Sequence, residues 1–183
     1  MNDMDNIIMG KQSNKIILFD VDDTLIHTTA NIWVMKDGNI VKKISNSQYN
    51  DYILEHGEYF DYTEFDDPHI LSKEKFTRYW DTLKREYLKG SHIGILTARG
   101  SINLIRNFML NNGIDIKKEL IFAIDDPILS LKGDIYIKKS EVVRLLYCRG
   151  YREFIFFDDN INNLLSVKKL ENDIDVKIIM VKV

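Results

Sequence analysis

The sequence predicts an α/β protein built on a doubly wound parallel sheet, and three observations predict it. Short apolar runs rich in Ile, Phe and Val recur along the chain: KIILFD (15–20), HIGIL (92–96), LIFAI (120–124), EFIFF (153–157) and VKIIMVKV (176–183). Each is nearly continuous in apolarity, as strands covered on both faces are. Segments with 3.6-residue apolar spacing lie between them, and such alternation implies right-handed crossovers over a parallel sheet.

Residues 1–14 are polar and aperiodic and read as a flexible tail, leaving 15–183 as one domain with no internal repeat. The first strand, KIILFD, is followed by an acidic cluster and then by a segment that breaks the alternation. In NIWVMKDGNIVKKI, Asp37-Gly38 stands between two β-rich runs, a two-residue hairpin signal. A tyrosine-rich acidic stretch follows, so residues 28–71 read as an insertion over the mouth of the sheet. Next, Phe76, Tyr79, Trp80, Leu83 and Tyr87 share one helical face, with Ser72 as the expected N-cap and Gly90 as the stop. SINLIRNFMLNNG repeats the pattern through Ile102, Ile105, Phe108 and Met109, ending at Gly113. Residues 140–149 and about 161–171 supply two further helices.

Composition sets bounds. The 183 residues are 45% hydrophobic and 29% charged, the balance of a globular chain rather than a disordered one. A net charge of −3 gives no polybasic field for nucleic acid or a membrane surface. No apolar run reaches the ~18 residues of a membrane span, and MNDMDNIIMG has no signal-peptide pattern, so cytoplasm is the expected compartment. The one cysteine, Cys148, is expected to be a small buried apolar residue, and a disulfide framework is excluded. No protein partner is evident.

The chemistry gathers at strand ends. Asp20 and Asp22 are two residues apart where the first strand runs out, so both can face one cavity. Two carboxylates sharing a cavity do not both stay ionised cheaply unless a cation neutralises them or one takes a proton. One could then attack as a nucleophile while the other serves as general acid. The same residues, Asp22-Asp23-Thr24, also suit an Asx-type turn and helix cap. EFIFF is followed by a second pair, Asp158-Asp159, and HIGIL by Thr97-Ala98-Arg99, a hydroxyl and a guanidinium suited to anionic oxygens. Lys138 and Lys139 open a helix, where exposed amides favour an anion. Ligands of doubly wound sheets bind beyond the strands' carboxyl ends, where these groups lie. Hard oxygen ligands without His or Cys point to magnesium. Asp125-Asp126-Pro127 is a rival acidic pair, read as a loop or helix-start feature, and His27, His56, His69 and His92 show no ligand spacing.

FDVDDTL, LTARG, IKKSEVV and FFDDNINN, in this order, resemble the four motifs of the haloacid dehalogenase-like superfamily. The resemblance runs from about residue 15 to the C-terminus apart from the insertion, and implies a Rossmann-like core with a small cap. It implies that Asp20 is the nucleophile that forms an aspartyl-phosphate and Asp22 the general acid, then base. Thr97 would bind phosphate, with Arg99 beside it, and Thr24 would shape the motif loop. Of the two lysines Lys139 is preferred, as the group that steadies the nucleophile and the transferring phosphoryl. Magnesium would be held by Asp20, the backbone carbonyl of Asp22 and Asp159, with Asp158 helping; Asn163 would support Asp159. The dehalogenases lack the second aspartate, so Asp22 argues for phosphoryl transfer.

The function implied is a magnesium-dependent phosphatase acting on a phosphomonoester, with a nucleotide or nucleic-acid end among the possible substrates. Phosphotransfer to another acceptor, as in a mutase, and a catalytically silent binding protein are the alternatives. Two features bear on substrate and pull apart. Three of the four motifs also look like those of the phosphatase domain of phage polynucleotide kinase, and a small insertion leaves the mouth open to a large substrate. Yet residues 28–71 carry three lysines against eight acids, net −5, a poor surface for a phosphate backbone. Tyr49, Tyr52, Tyr59, Phe60, Tyr62 and Phe65 could stack on a base or form the insertion's own core.

Overall fold

A computed structural model describes residues 14–49 and 51–183. The segment read as a tail lies outside the described residues except for Asn14, whose carbonyl accepts from the amides of Arg152 and Glu153. In chain order the elements are β1 (Lys15–Phe19), β2 (Ile26–His27), β3 (Ile32–Lys36), β4 (Asn39–Ile44), α1 (Asn46–Tyr49), β5 (Glu58–Asp61), α2 (Pro68–Leu71), β6 (Lys75–Phe76) and α3 (Arg78–Leu88). They continue as β7 (Ile93–Thr97), α4 (Ile102–Asn111), β8 (Ile121–Ala123), α5 (Ile135–Cys148), β9 (Glu153–Asp158), α6 (Ile161–Lys168) and β10 (Lys177–Lys182).

The five expected strands form one five-stranded sheet in the order β10-β9-β1-β7-β8, every pair parallel. Strand periodicity sorts its side chains into two cores. Ile17, Phe19, Ile93 and Ile95 pack with Trp80 and Leu83 of α3 and Ile105 and Met109 of α4. Ile16, Leu18, Phe154 and Phe156 face the other way, onto Val142, Val143 and Leu146 of α5 and Leu164 and Val167 of α6. Helices therefore cover both faces. From β1 the chain builds outward to β7 and β8, then returns to the opposite side for β9 and β10. That reversal makes the carboxyl ends of β1 and β9 the crevice where such sheets take ligands.

Gly94 lies where the sheet is tightest. A Cβ there would stand 2.9 Å from Leu18 Cδ2 and 3.0 Å from the Leu120 carbonyl oxygen. Gly94→Ala is expected to lower stability by about 1–3 kcal/mol through overpacking, read as a shift in the urea midpoint.

The insertion is a three-stranded antiparallel sheet, β4-β3-β5. Asp37 (φ 49°) and Gly38 (φ 77°) make the β3–β4 turn, both left-handed as a type I′ hairpin requires. The aromatic cluster divides. Tyr49, Tyr52, Phe60 and Phe65 pack on Ile32, Val34 and Ile44, while Tyr59 and Tyr62 are exposed.

Four expectations need correction. The N-cap of α3 is Thr77, whose hydroxyl accepts from the Tyr79 amide at 3.1 Å, whereas Ser72 ends α2. Phe76 precedes that helix in β6 and stacks on Trp80, ring centroids 4.1 Å apart. The helix expected at 140–149 begins at Ile135, after Asp134; its first turns carry Lys138 and Lys139 between Ile135 and Val142, which interrupts the apolar spacing that marks the rest. Cys148 is exposed, on the side of α5 away from Val142, Val143 and Leu146. No helix among the described residues is long and apolar enough to cross a membrane.

Candidate active site

The crevice is assembled by register. Phe19 pairs with Phe157, and the Asp20 amide donates to the Phe157 carbonyl at 2.9 Å, so the next residues, Asp20 and Asp158, stand side by side. Asp20 continues the Ile16–Leu18 face and Asp158 the Phe154–Phe156 face, both turned toward α5. On α5, Lys139 begins the stripe that runs through Val142, Val143 and Leu146 into the core. The lysine and the two aspartates therefore meet without solvent. Lys139 Nζ lies 3.0 Å from Asp20 Oδ1 and 2.6 Å from Asp158 Oδ2, and all three residues are buried. Lys138, one position back, points away from this centre and pairs with Asp125.

Asp158 is fully engaged. Besides Lys139 it accepts from the Asn160 amide at 2.8 Å and from Asn163 Nδ2 at 3.0 and 3.2 Å. Asn163 thus supports Asp158, not Asp159 as expected, because α6 turns its first buried side chain back beneath the strand. Asp159 is half-buried on the wall of the crevice, its amide donating to the Thr24 hydroxyl at 3.1 Å. One carboxylate oxygen from each of Asp20, Asp158 and Asp159 lies within 4.8 Å of the other two, close enough for a single cation to touch all three.

The electrostatics favour such a cation. Burial pushes the Asp20 carboxyl well above the usual carboxylate range; Lys139 pulls it back, while Asp158, Asp159 and Asp22 push it up again. Burial, then the charge of Asp158, pushes Asp159 up to about 6. Burial draws Lys139 down, but Asp158 and Asp20 outweigh it and hold the ammonium above its ordinary value. One lysine among three carboxylates leaves excess negative charge at the base of the crevice.

The loop after β1 is a tight turn. The Val21 carbonyl accepts from the amides of Leu25 (2.9 Å) and Ile26 (3.2 Å), and Asp23 is left-handed (φ 53°). No helix follows it; the chain passes into β2, so a turn forms there without the cap function. Asp22, also buried, faces Arg99 in a two-point pair: Nε to Oδ2 at 3.0 Å and Nη2 to Oδ1 at 2.7 Å. The Thr28 hydroxyl also donates to Asp22, and Arg99 Nη1 donates to the Phe65 carbonyl in the insertion. Arg99, expected to receive anionic oxygens of a substrate, is here buried with its guanidinium held by Asp22 and Phe65. Thr97 and Thr24 are wholly buried, and neither hydroxyl lies on the crevice wall. Thr97 Oγ1 accepts from the Arg99 amide at 3.3 Å. Their place is in the scaffold of the two loops.

Above these groups lies a cleft of about 980 Å³. Its floor holds Asp20, Asp22, Lys139 and Asp159, and the insertion contributes Tyr49, Tyr62, Phe65 and Asp66. The Tyr62 hydroxyl donates to that of Tyr49 at 3.1 Å; although the residue is exposed overall, partial desolvation of its hydroxyl, together with this bond, raises Tyr62 above the usual phenol range. Asp125 and Tyr136 also line the cleft, while Asp126 caps the turn at Pro127–Leu129 through the Ile128 amide. His27 is exposed, outside the cleft lining, and His92 bonds Tyr151 at 3.2 Å. No protein-family model, no curated protein and no solved structure matches the chain.

Proposed function

We propose that this chain is a magnesium-dependent phosphatase of the haloacid dehalogenase-like type, with the sheet as its core and the insertion as a small cap. The observation that carries the reading is the bridge from Lys139 to Asp20 and Asp158, with Asp159 adjoining, at the switch point of the sheet. An all-oxygen donor set with excess negative charge suits a hard divalent ion. Asp20 and Asp159 would hold it, with Asp158 behind them. Magnesium there supplies positive charge beside the phosphate and offsets its repulsion by the carboxylates.

In the first step an Asp20 carboxylate oxygen attacks phosphorus, the ester P–O bond breaks, and the leaving oxygen takes a proton from Asp22. The product is an aspartyl-phosphate on Asp20. In the second step Asp22 takes a proton from water as its oxygen attacks that phosphorus, releasing phosphate and restoring Asp20. Lys139 steadies the carboxylate of Asp20 throughout and sits beside the developing charge. To act as the acid, Asp22 has to turn out of its pair with Arg99 and take a proton from solvent before the ester bond breaks.

The test uses purified protein with 4-nitrophenyl phosphate. Release of phosphate is expected with millimolar Mg²⁺ and none with excess EDTA. The ion is also expected to raise the melting temperature, since binding at 100 times Kd adds about 2.7 kcal/mol. Turnover undiminished by chelator would overturn the reading.

A further inference from the structure

We propose that the substrate is a small phosphomonoester whose organic part is rich in hydrogen-bond donors, hydroxyl or ammonium, and is not the end of a polynucleotide. This rests on the phosphatase reading of the same site.

Among the described residues, every cation lining the cleft is already engaged. Lys139 is held by Asp20 and Asp158, Arg99 by Asp22, and Lys138 by Asp125. None is left over for a second phosphate. The three lysines of the insertion do not help: Lys36, Lys42 and Lys43 are all outside the cleft lining, with Lys42 over the Tyr52 ring and Lys43 over the Trp33 ring. Arg106 stands on α4 opposite Asp115, also outside the lining.

Acids, by contrast, ring the cleft from separate segments. Beyond the carboxylates of the floor it is lined by Asp66 in the insertion and Asp134 before α5, and by Asp23 after β1 and Asp125 after β8, of which Asp125 is paired with Lys138 and Asp23 accepts from the Thr28 amide and Asn46 Nδ2. Asp66 sits against Gly100, whose absent Cβ would lie 3.0 Å from its Oδ2. A polynucleotide carries a negative charge at every nucleotide, and charges gathered in one cleft lie within the screening length of about 8 Å at physiological salt. Each phosphate beyond the first would meet carboxylates with no free cation between them.

The same walls suit a different body. An ionised carboxylate only accepts hydrogen bonds, so a complementary ligand must donate them. Tyr49, Tyr62, Phe65 and Tyr136 also line the cleft and supply aromatic surface beside these acids for the C–H groups of a polyol or the methylenes of an ammonium ester.

The experiment compares kcat/KM of the magnesium-loaded full chain for sorbitol 6-phosphate, phosphoethanolamine, 4-nitrophenyl phosphate, and oligonucleotides phosphorylated at the 3′ or 5′ end. The polyol or the ammonium ester is expected to exceed both oligonucleotides by about 100-fold, the equivalent of two tenfold steps in binding. Which of the two leads separates hydroxyl from ammonium recognition. In the Asp66→Asn/Asp134→Asn double variant the KM of the leading ester is expected to rise several-fold with little change in its kcat. Oligonucleotide ends hydrolysed as well as the donor-rich esters would overturn the proposal. So would turnover of 4-nitrophenyl phosphate with neither donor-rich ester accepted. If no ester is hydrolysed, 4-nitrophenyl phosphate included, the phosphatase reading fails and this proposal falls with it.

Discussion

Asp20→Asn is expected to lower phosphate release by roughly 10⁴-fold or more, the scale on which removing a covalent nucleophile acts, while leaving the protein folded. The separation of the two effects is what makes the variant informative. Burial and the neighbouring carboxylates hold the Asp20 carboxyl well above its usual range despite Lys139 at 3.0 Å. Net, this environment resists a negative charge at position 20. A neutral amide of the same shape loses the attraction to Lys139 but relieves burial of charge and repulsion from Asp158, Asp159 and Asp22. The melting temperature in EDTA should therefore be equal to or above that of the wild type. Its rise on adding Mg²⁺ should shrink, since one of the two carboxylates that would hold the ion has lost its charge. Parallel kinetics and thermal melts check both parts. A variant that turns over like the wild type would remove Asp20 from the mechanism.

Lys139→Met is expected to have the largest effect on stability, a loss of about 3–5 kcal/mol in metal-free buffer, because breaking a buried pair leaves uncompensated charge behind. The side chain is wholly enclosed and faces two buried carboxylates, and methionine fills its volume without its charge. Two processes limit the loss. Asp20 or Asp158 can take up a proton, and a divalent ion can replace part of the missing charge. The urea midpoint should accordingly recover in part with millimolar Mg²⁺, while turnover stays lost. Lys138→Met, at the neighbouring position, removes only a partly exposed pair with Asp125 and should cost about 1 kcal/mol or less.

The parts of this molecule that could be read from sequence are those governed by short-range periodicity. Unbroken apolar runs gave the five parallel strands, and the spacing of Ile102, Ile105, Phe108 and Met109 marked α4. The Asp37-Gly38 signal marked its hairpin because that turn needs two left-handed residues. β5 was not legible: Glu58–Asp61 is a strand because β3 pairs with it, and its own four residues do not alternate. In the site, the direction of Asp158 was available from the alternation Phe154, Phe156, Asp158, whereas the motif drew attention to Asp159. The pair between Asp22 and Arg99 spans 77 positions and depends on how two strand-end loops face each other, which no local pattern encodes. Lys138 and Lys139 differ from this case: Lys139 stands at i, with Val142, Val143 and Leu146 at i+3, i+4 and i+7, so helical spacing places it on the buried stripe, whereas Lys138 has Glu141 at i+3.

The third arm of Arg99 has a consequence for anyone rebuilding this protein. Because Nη1 rests on a main-chain oxygen at Phe65, the loop following β7 and the segment between β5 and α2 are fastened to each other by an atom that no side-chain exchange can remove. Transplanting a foreign segment in place of residues 28–71 would have to bring a carbonyl to that same spot. Without it a shielded guanidinium N–H is left with no acceptor, and the grip on Asp22 loosens along with it.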